Sequence, residues 1–158
     1  KVAIVSRSTQ PDCDVDYLFA QVGVGQKSVD TRPNCGNMLS GVAPFAIEQG
    51  LVQANDGVTT VRVFNVNTKS RIDVTVQTPG GRVTYDGETT IDGVAGSAAP
   101  IQLDFLDAWG AVTGSVFPTG KRIDVMGGVP LTCMSREALS VAATSAVALA
   151  ASARQVLA

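Results

Sequence analysis

Along the first third of the chain, apolar positions come in short runs rather than in a single helical stripe. Residues 1–8 and 15–24 are rich in β-branched and aromatic side chains and are separated by a turn cluster at 11–14 containing Pro11, Asp12 and Asp14. They predict a hairpin-like pair of strands. Residues 34–50 behave differently. Met38, Leu39, Val42, Ala43, Phe45, Ala46 and Ile47 cover every face of a helix, so the pattern predicts one helix buried all round. Asn34 is a suitable N-cap, and Gly50 suits a left-handed stop. Pro44 falls inside, where a proline normally costs ~3 kcal/mol, so a kink is expected near Ser40 and Gly41.

Beyond Gly57 the period returns to two. Residues 59–66, 71–77 and 82–85 alternate apolar with polar positions, the last two joined by the turn Pro79-Gly80-Gly81, and they read as antiparallel meanders. Residues 86–100, rich in Gly, Thr, Ser and Ala, read as a loop, followed by a strand at 101–106. The predicted class is α+β, a helix wrapped by antiparallel strands. The last stretch, 135–158, is Ala-rich and predicts a helix that Ser135 can cap. Its uncharged run from 138 to 153 is 16 residues, short of the ~20 that span a bilayer and only weakly apolar, so a packed or partner-facing helix is expected rather than a membrane one.

Composition narrows the chemistry. The 158 residues are 45% hydrophobic and 16% charged, which suits a packed globular protein of one or two units. With 12 basic and 14 acidic residues spread along the chain, no basic stripe exists for nucleic acid. Histidine is absent, which removes the commonest general base near neutral pH and the commonest zinc ligand, so acid–base work falls to Lys, Cys, Asp, Glu or Tyr. Cys13, Cys35 and Cys133 are odd in number and widely spaced, with no C-x-x-C pair. They predict neither a disulfide framework nor a zinc site, and a reducing cytoplasm fits best. No secretory leader pattern is present, and Lys1 runs directly into the strand-like Val2-Ala3-Ile4-Val5, as if the chain began inside a longer protein.

Within this frame Asn34-Cys35-Gly36-Asn37 stands out, a cysteine at the predicted first turn of a helix. Unpaired backbone N–H groups there stabilise a thiolate and also bind carboxylates. The alternative is that Cys35 is a small core residue and Gly36 merely permits close packing. Asp12, Asp14 and Asp16 have calcium-like spacing but lack the glycine and glutamate that complete such a loop, so they read as a solvated turn. Cys13 among these carboxylates is expected to be a quiet thiol.

Three stretches carry a resemblance. Asp14-Val15-Asp16-Tyr17-Leu18-Phe19-Ala20-Gln21-Val22, then the run from Asn34 through Ser40-Gly41-Val42-Ala43-Pro44-Phe45-Ala46-Ile47-Glu48, then Phe117-Pro118-Thr119-Gly120, resemble the PrpF-like isomerases. That family includes methylaconitate isomerases and 4-oxalomesaconate tautomerases. The resemblance implies a diaminopimelate epimerase-like lobe over residues 1–133, a curled, mostly antiparallel sheet around a central helix at 34–50. It leaves residues 134–158 as a helix that departs from the family pattern. It further implies a cofactor-independent, metal-free proton movement, an allylic 1,3-shift or a cis-trans isomerisation, in a small unsaturated di- or tricarboxylate, with Lys1 and Cys35 catalytic and Asn34, Gly36, Asn37, Thr119 and Gly120 binding substrate.

In such chemistry the lysine takes an allylic proton and the cysteine opposite assists, while helix N-termini hold the carboxylates. Lys1 must be neutral to act as a base, whereas a terminal lysine taken alone reads as a solvated surface group. Lys121 stands where the family has Asn, and the family's motif before the lysine and most of a second lobe are missing. Partners are then a small polycarboxylate, with no nucleic acid and no membrane, and a homodimer is left open. Two other classes stay open, a non-catalytic scaffold and a two-cysteine epimerase or racemase.

Overall fold

The computed structural model describes residues 1–106, 117 and 119–132. The predicted helix at 135–158, with Cys133, lies outside the described residues. Strand β1 (Val2–Arg7) runs antiparallel to β2 (Val15–Val22), with Val2 opposite Ala20 and Arg7 opposite Val15. The turn between them closes through Cys13 N–H to the Gln10 carbonyl at 3.2 Å and Ser8 N–H to the Asp14 carbonyl at 3.0 Å. A two-residue strand, β3 (Val29–Asp30), pairs with the end of β2. Two helices follow, α1 (Gly36–Leu39) and α2 (Val42–Glu48). Strands β4 (Gly57–Asn65), β5 (Ser70–Thr78) and β6 (Ile101–Phe105) then complete a six-stranded sheet in the order β1-β2-β4-β5-β6. A separate two-stranded ribbon joins β7 (Asp124–Met126) to β8 (Val129–Leu131).

Period-two alternation decides which face is buried. Val15, Tyr17 and Phe19 on β2, Val61 and Val63 on β4, Ile72, Val74 and Val76 on β5, and Ile101 and Leu103 on β6 share one face with almost no solvent exposure. Leu39, Val42, Ala43 and Ala46 of the helices cover that face and complete the core. The class is α+β. The sheet is mostly antiparallel, but β2 and β4 are parallel, with Val15 opposite Val63 and Tyr17 opposite Asn65. The chain between them crosses over the core face through β3 and both helices.

Three expectations change. The kink expected at Ser40 and Gly41 is there, but as a full break that divides the helix expected at 34–50 into two, and Phe45 is 42% exposed, so the segment is not buried all round. The break puts Pro44 in the first turn of α2, where no intrahelical acceptor exists for its missing N–H; the first bond of α2 runs from Phe45 N–H to Gly41 at 3.1 Å. The cap also moves, since Cys35 occupies the N-cap position. The third change concerns residues 82–85, which form no strand. Both edges of β5 are already taken by β4 and β6, so only one ladder-like bond, Thr84 N–H to the Gln77 carbonyl at 3.1 Å, is left to them.

The expected stop at Gly50 is present. Gly50 has φ of 67°, its N–H reaches the Ile47 carbonyl at 3.0 Å, and Leu51 N–H reaches the Ala46 carbonyl at 2.8 Å. Arg7 fastens this end of α2 to β1 by donating to the Leu51 and Gly50 carbonyls at 2.8 and 3.0 Å.

Candidate functional site

Lys1 and Cys35 are 34 positions apart in sequence, and their Nζ and Sγ atoms are 3.6 Å apart. The geometry has a simple origin. Lys1 precedes β1, α1 packs against β1, and the one-turn helix presents its N-cap residue beside the start of that strand. Cys35 has extended backbone angles, φ −140° and ψ 104°, and its side chain makes no capping bond to α1. The thiol therefore meets the lysine and is half-buried at the margin of the core, while Lys1 is exposed. A helix of four residues contributes little macrodipole. What stands beside the sulfur is the Lys1 amino group, and the first-turn N–H groups next to it have no acceptor within the helix.

The backbone of Cys35 is held from both sides. Its N–H donates to Asn34 Oδ1 at 2.7 Å, and its carbonyl accepts from Leu39 N–H at 3.0 Å and from the Tyr17 hydroxyl at 3.2 Å. Burial, with the neighbouring Cys35 as a lesser cause, pushes Tyr17 above its ordinary value of 10.0, so its hydroxyl stays protonated as a donor. Asn34 Oδ1 also accepts from Asn65 Nδ2 at 2.8 Å. Asn65 is fully buried and accepts from Asn67 N–H at 2.9 Å and Thr68 N–H at 3.3 Å. Asn67 in turn bonds both the N–H and the carbonyl of Phe19 at 2.8 Å and donates to the Thr31 carbonyl. Tyr17 entered the sequence reading only as part of a motif and with no role, and Asn65 and Asn67 did not stand out; the available signal for them was the repeated asparagine of Asn65-Val66-Asn67.

Gly36 opens α1, and a Cβ built on it would meet nothing within 4 Å. Close packing is thus not why a glycine stands there, and the backbone beside the sulfur is open to approach. Asn37 is exposed, and its carbonyl accepts from the Ser40 hydroxyl at 2.8 Å. Five of the seven expected site residues therefore come together: Lys1, Asn34, Cys35, Gly36 and Asn37. Thr119 and Gly120 belong to a different element, the turn leading into β7. There Thr119 donates to Asp124 at 2.8 Å and Gly120 N–H reaches the Phe117 carbonyl at 2.8 Å. Thr119, Lys121, Ile123 and Asp124 line an open cavity of about 420 Å³ on that ribbon.

The acidic turn has a structural role. Asp14 takes three bonds from Arg62, from its N–H at 2.8 Å, Nε at 3.1 Å and Nη2 at 2.6 Å, and this pairing holds its carboxyl below the usual carboxylate range. Asp16 accepts from the Ser8 hydroxyl at 2.6 Å. Cys13 is pushed up chiefly by burial, with Asp16 and Asp12 adding to that and Arg71 opposing it, so it is a quiet thiol for a reason only partly its carboxylate neighbours. Among the described residues no helix is long and apolar enough to cross a membrane.

An α+β protein that sets a lysine amino group against a cysteine sulfur, beside an open first turn of backbone N–H groups, has the parts for moving a proton on an anionic molecule. The chain belongs to the family described as PrpF protein, which matches residues 1–153. It is 60% identical over 134 residues to the putative isomerase YbhH of Escherichia coli K12, covering 85% of this chain and 38% of that protein. It is 52% identical over 132 residues to a (4E)-oxalomesaconate Delta-isomerase of Novosphingobium, covering 84% and 37%. A crystal structure of methylitaconate-delta-isomerase superposes with a TM-score of 0.76 at 42% identity, covering 84% of this chain and 35% of that one. The chain thus spans little more than a third of the length of these relatives.

Proposed function

We propose that the protein carrying this chain is an isomerase that shifts a proton within a small unsaturated di- or tricarboxylate, with 4-oxalomesaconate and 2-methylaconitate as the model substrates. The observation that carries the reading is the 3.6 Å approach of Lys1 Nζ to Cys35 Sγ. Lys1, as the neutral amine, takes a proton from the carbon next to the double bond. The electron pair moves into the conjugated system as a dienolate, and a proton returns at the far carbon as the double bond shifts, so nothing is oxidised or reduced. Cys35 acts across from the lysine as proton donor or stabiliser. The N–H groups of Gly36 and Asn37 face the carboxylate on which the charge collects, and the amide nitrogen of Asn34 is the part of that side chain left to donate to substrate.

This chemistry calls on no cofactor or metal. In the same reading residues 1–133 form a diaminopimelate epimerase-like lobe, a second lobe of the intact protein supplies the opposite wall, Thr119 and Gly120 reach the substrate from the ribbon, and the setting is the cytoplasm. Several named relatives support the reading by their activities, among them a 4-oxalomesaconate tautomerase and a 2-methyl-aconitate isomerase. The test is to mix the intact, chelator-treated protein with 4-oxalomesaconate, 2-methylaconitate and 3-methylitaconate and follow double-bond position by proton NMR. Turnover of at least one is expected, and inertness toward all three would overturn the proposal.

A further inference from the structure

Tyr17 and Asn65 are direct partners in the parallel pairing of β2 with β4, and between them they grip both polar groups of one peptide residue. Tyr17 holds the Cys35 carbonyl at 3.2 Å. Asn65 holds Asn34 Oδ1 at 2.8 Å, and that oxygen holds the Cys35 N–H at 2.7 Å. Asn34 itself is exposed, in the loop between β3 and α1, whereas Asn65 has no solvent exposure at all. A fully buried amide is costly unless its donors and acceptors are met. Here its oxygen is used by two turn N–H groups, and its nitrogen is turned toward the loop that carries the cysteine. We infer that Asn65 is a positioning residue which, through Asn34, fixes the Cys35 thiol against Lys1. The inference deepens the proposed reaction and rests on that reading for its catalytic consequence.

The two links have a fixed polarity. Asn34 Oδ1 can serve two donors at once only if Asn65 presents its nitrogen. Asn65→Asp keeps the shape and the acceptor for Asn67 and Thr68 but removes the donor, and the carboxylate then faces an oxygen. Turning the Asn34 amide to relieve this would set an NH2 group against the Cys35 N–H. Either outcome frees the thiol, and a misplacement of 1 Å at a reacting group costs on the order of 10²-fold in rate.

The experiment uses the intact protein as wild type, Asn65→Asp, Asn34→Ala and the double variant. In each, the carbamidomethylation rate of Cys35 is followed by peptide mass spectrometry with Cys13 as internal reference, alongside kcat and KM. Each single variant should change the Cys35 rate by about five-fold or more, as for a lost hydrogen bond of ~1 kcal/mol, while the Cys13 rate stays constant. Asn65→Asp should lower kcat by about ten-fold or more with KM little moved. The double variant should match the single ones in the Cys35 alkylation rate, because both cut the same link, whereas kcat and KM are compared only between wild type and Asn65→Asp, since Asn34 also donates to substrate. Asn34→Ala cuts it from the exposed side and keeps the test open if the buried substitution fails to fold. Cys35 rates within two-fold of wild type in a folded single variant, or alkylation-rate effects that multiply in the double, would overturn the inference. If Cys35→Ser kept full turnover while Asn65→Asp still altered the Cys35 rate, the positioning would stand and the proton-transfer reading would fall.

Discussion

The Tyr17 hydroxyl, at the centre of the buried face of β2, donates to the carbonyl of Cys35 at 3.2 Å, so the most enclosed phenol of the core supports the residue at the mouth of the site. Tyr17→Phe should keep the packing and lose this bond, lowering stability by ~1 kcal/mol. It should also change the alkaline limb. Tyr17 and Tyr85 both sit above their ordinary value of 10.0, mainly through burial. Their neutral forms therefore contribute stability that is fully present below pH 10 and lost as pH rises beyond it. Urea midpoints between pH 9 and 11 should fall in the wild type and fall less steeply in Tyr17→Phe.

Removal of the thiol separates chemistry from binding. Cys35→Ser in the intact protein should lower kcat by ~10²-fold or more, as expected for loss of a positioned proton-transfer group, with a much smaller change in KM. Steady-state kinetics on whichever acid is turned over decides this, and an unchanged kcat would return Cys35 to a packing role.

Lys1 is exposed, so a proton it abstracts can trade with water before it is returned. In heavy water, deuterium should appear at the carbon that receives the proton. Lys1→Ala should abolish both isomerisation and label, whereas Cys35→Ser can retain slow exchange at the donor carbon. Mass spectrometry of the product reports both, and full exchange in Lys1→Ala would assign the base to another residue.

Asp14 and Arg62 tie the β1–β2 turn to β4. Because the Asp14 carboxyl lies below its ordinary value of 3.8, its ionised form contributes stability that is present above that pH and lost as pH falls through the lower folded value. Asp14→Asn should be less stable at pH 7, and the difference from wild type should shrink below pH 4. Thermal melts across that range measure it.

β4 and β5 were readable because side chains on a half-buried sheet alternate, as they do from Thr59 to Asn65 and from Ile72 to Thr78, while β2 was readable as a β-branched and aromatic run. The antiparallel pairings of β1 with β2 and of β4 with β5 were readable as well, from the turns between them, but the parallel pairing of β2 with β4 was not. Nothing local in residues 15–22 or 57–65 says that these two strands lie side by side in parallel, because register is decided by the crossover between them. The helix was readable in place, and Pro44 marked where it bends; that the bend is a full break, in which Ser40 closes one helix and Gly41 caps the next, was not readable. Cys35 stood out as a cysteine at a predicted helix start, whereas Lys1 stood out only through the family resemblance. Asn65 and Asn67 carried no signal of a distant bond, because an asparagine that bonds a distant loop and one that bonds its own turn are the same letter.

The parallel pairing of β2 with β4 also governs when the site can come into being. Its rungs join residues 48 positions apart, as the Asp14–Arg62 contacts at its end show. Such long-range closures are entropically costly and form slowly relative to hairpins. The β1–β2 hairpin can assemble early, but Cys35 has no settled place until Asn65 docks beside Tyr17. A refolding time course should therefore show β structure appearing before the cysteine acquires its native alkylation rate. During synthesis, the lysine and the thiol would meet only once the chain through residue 65 has left the ribosome.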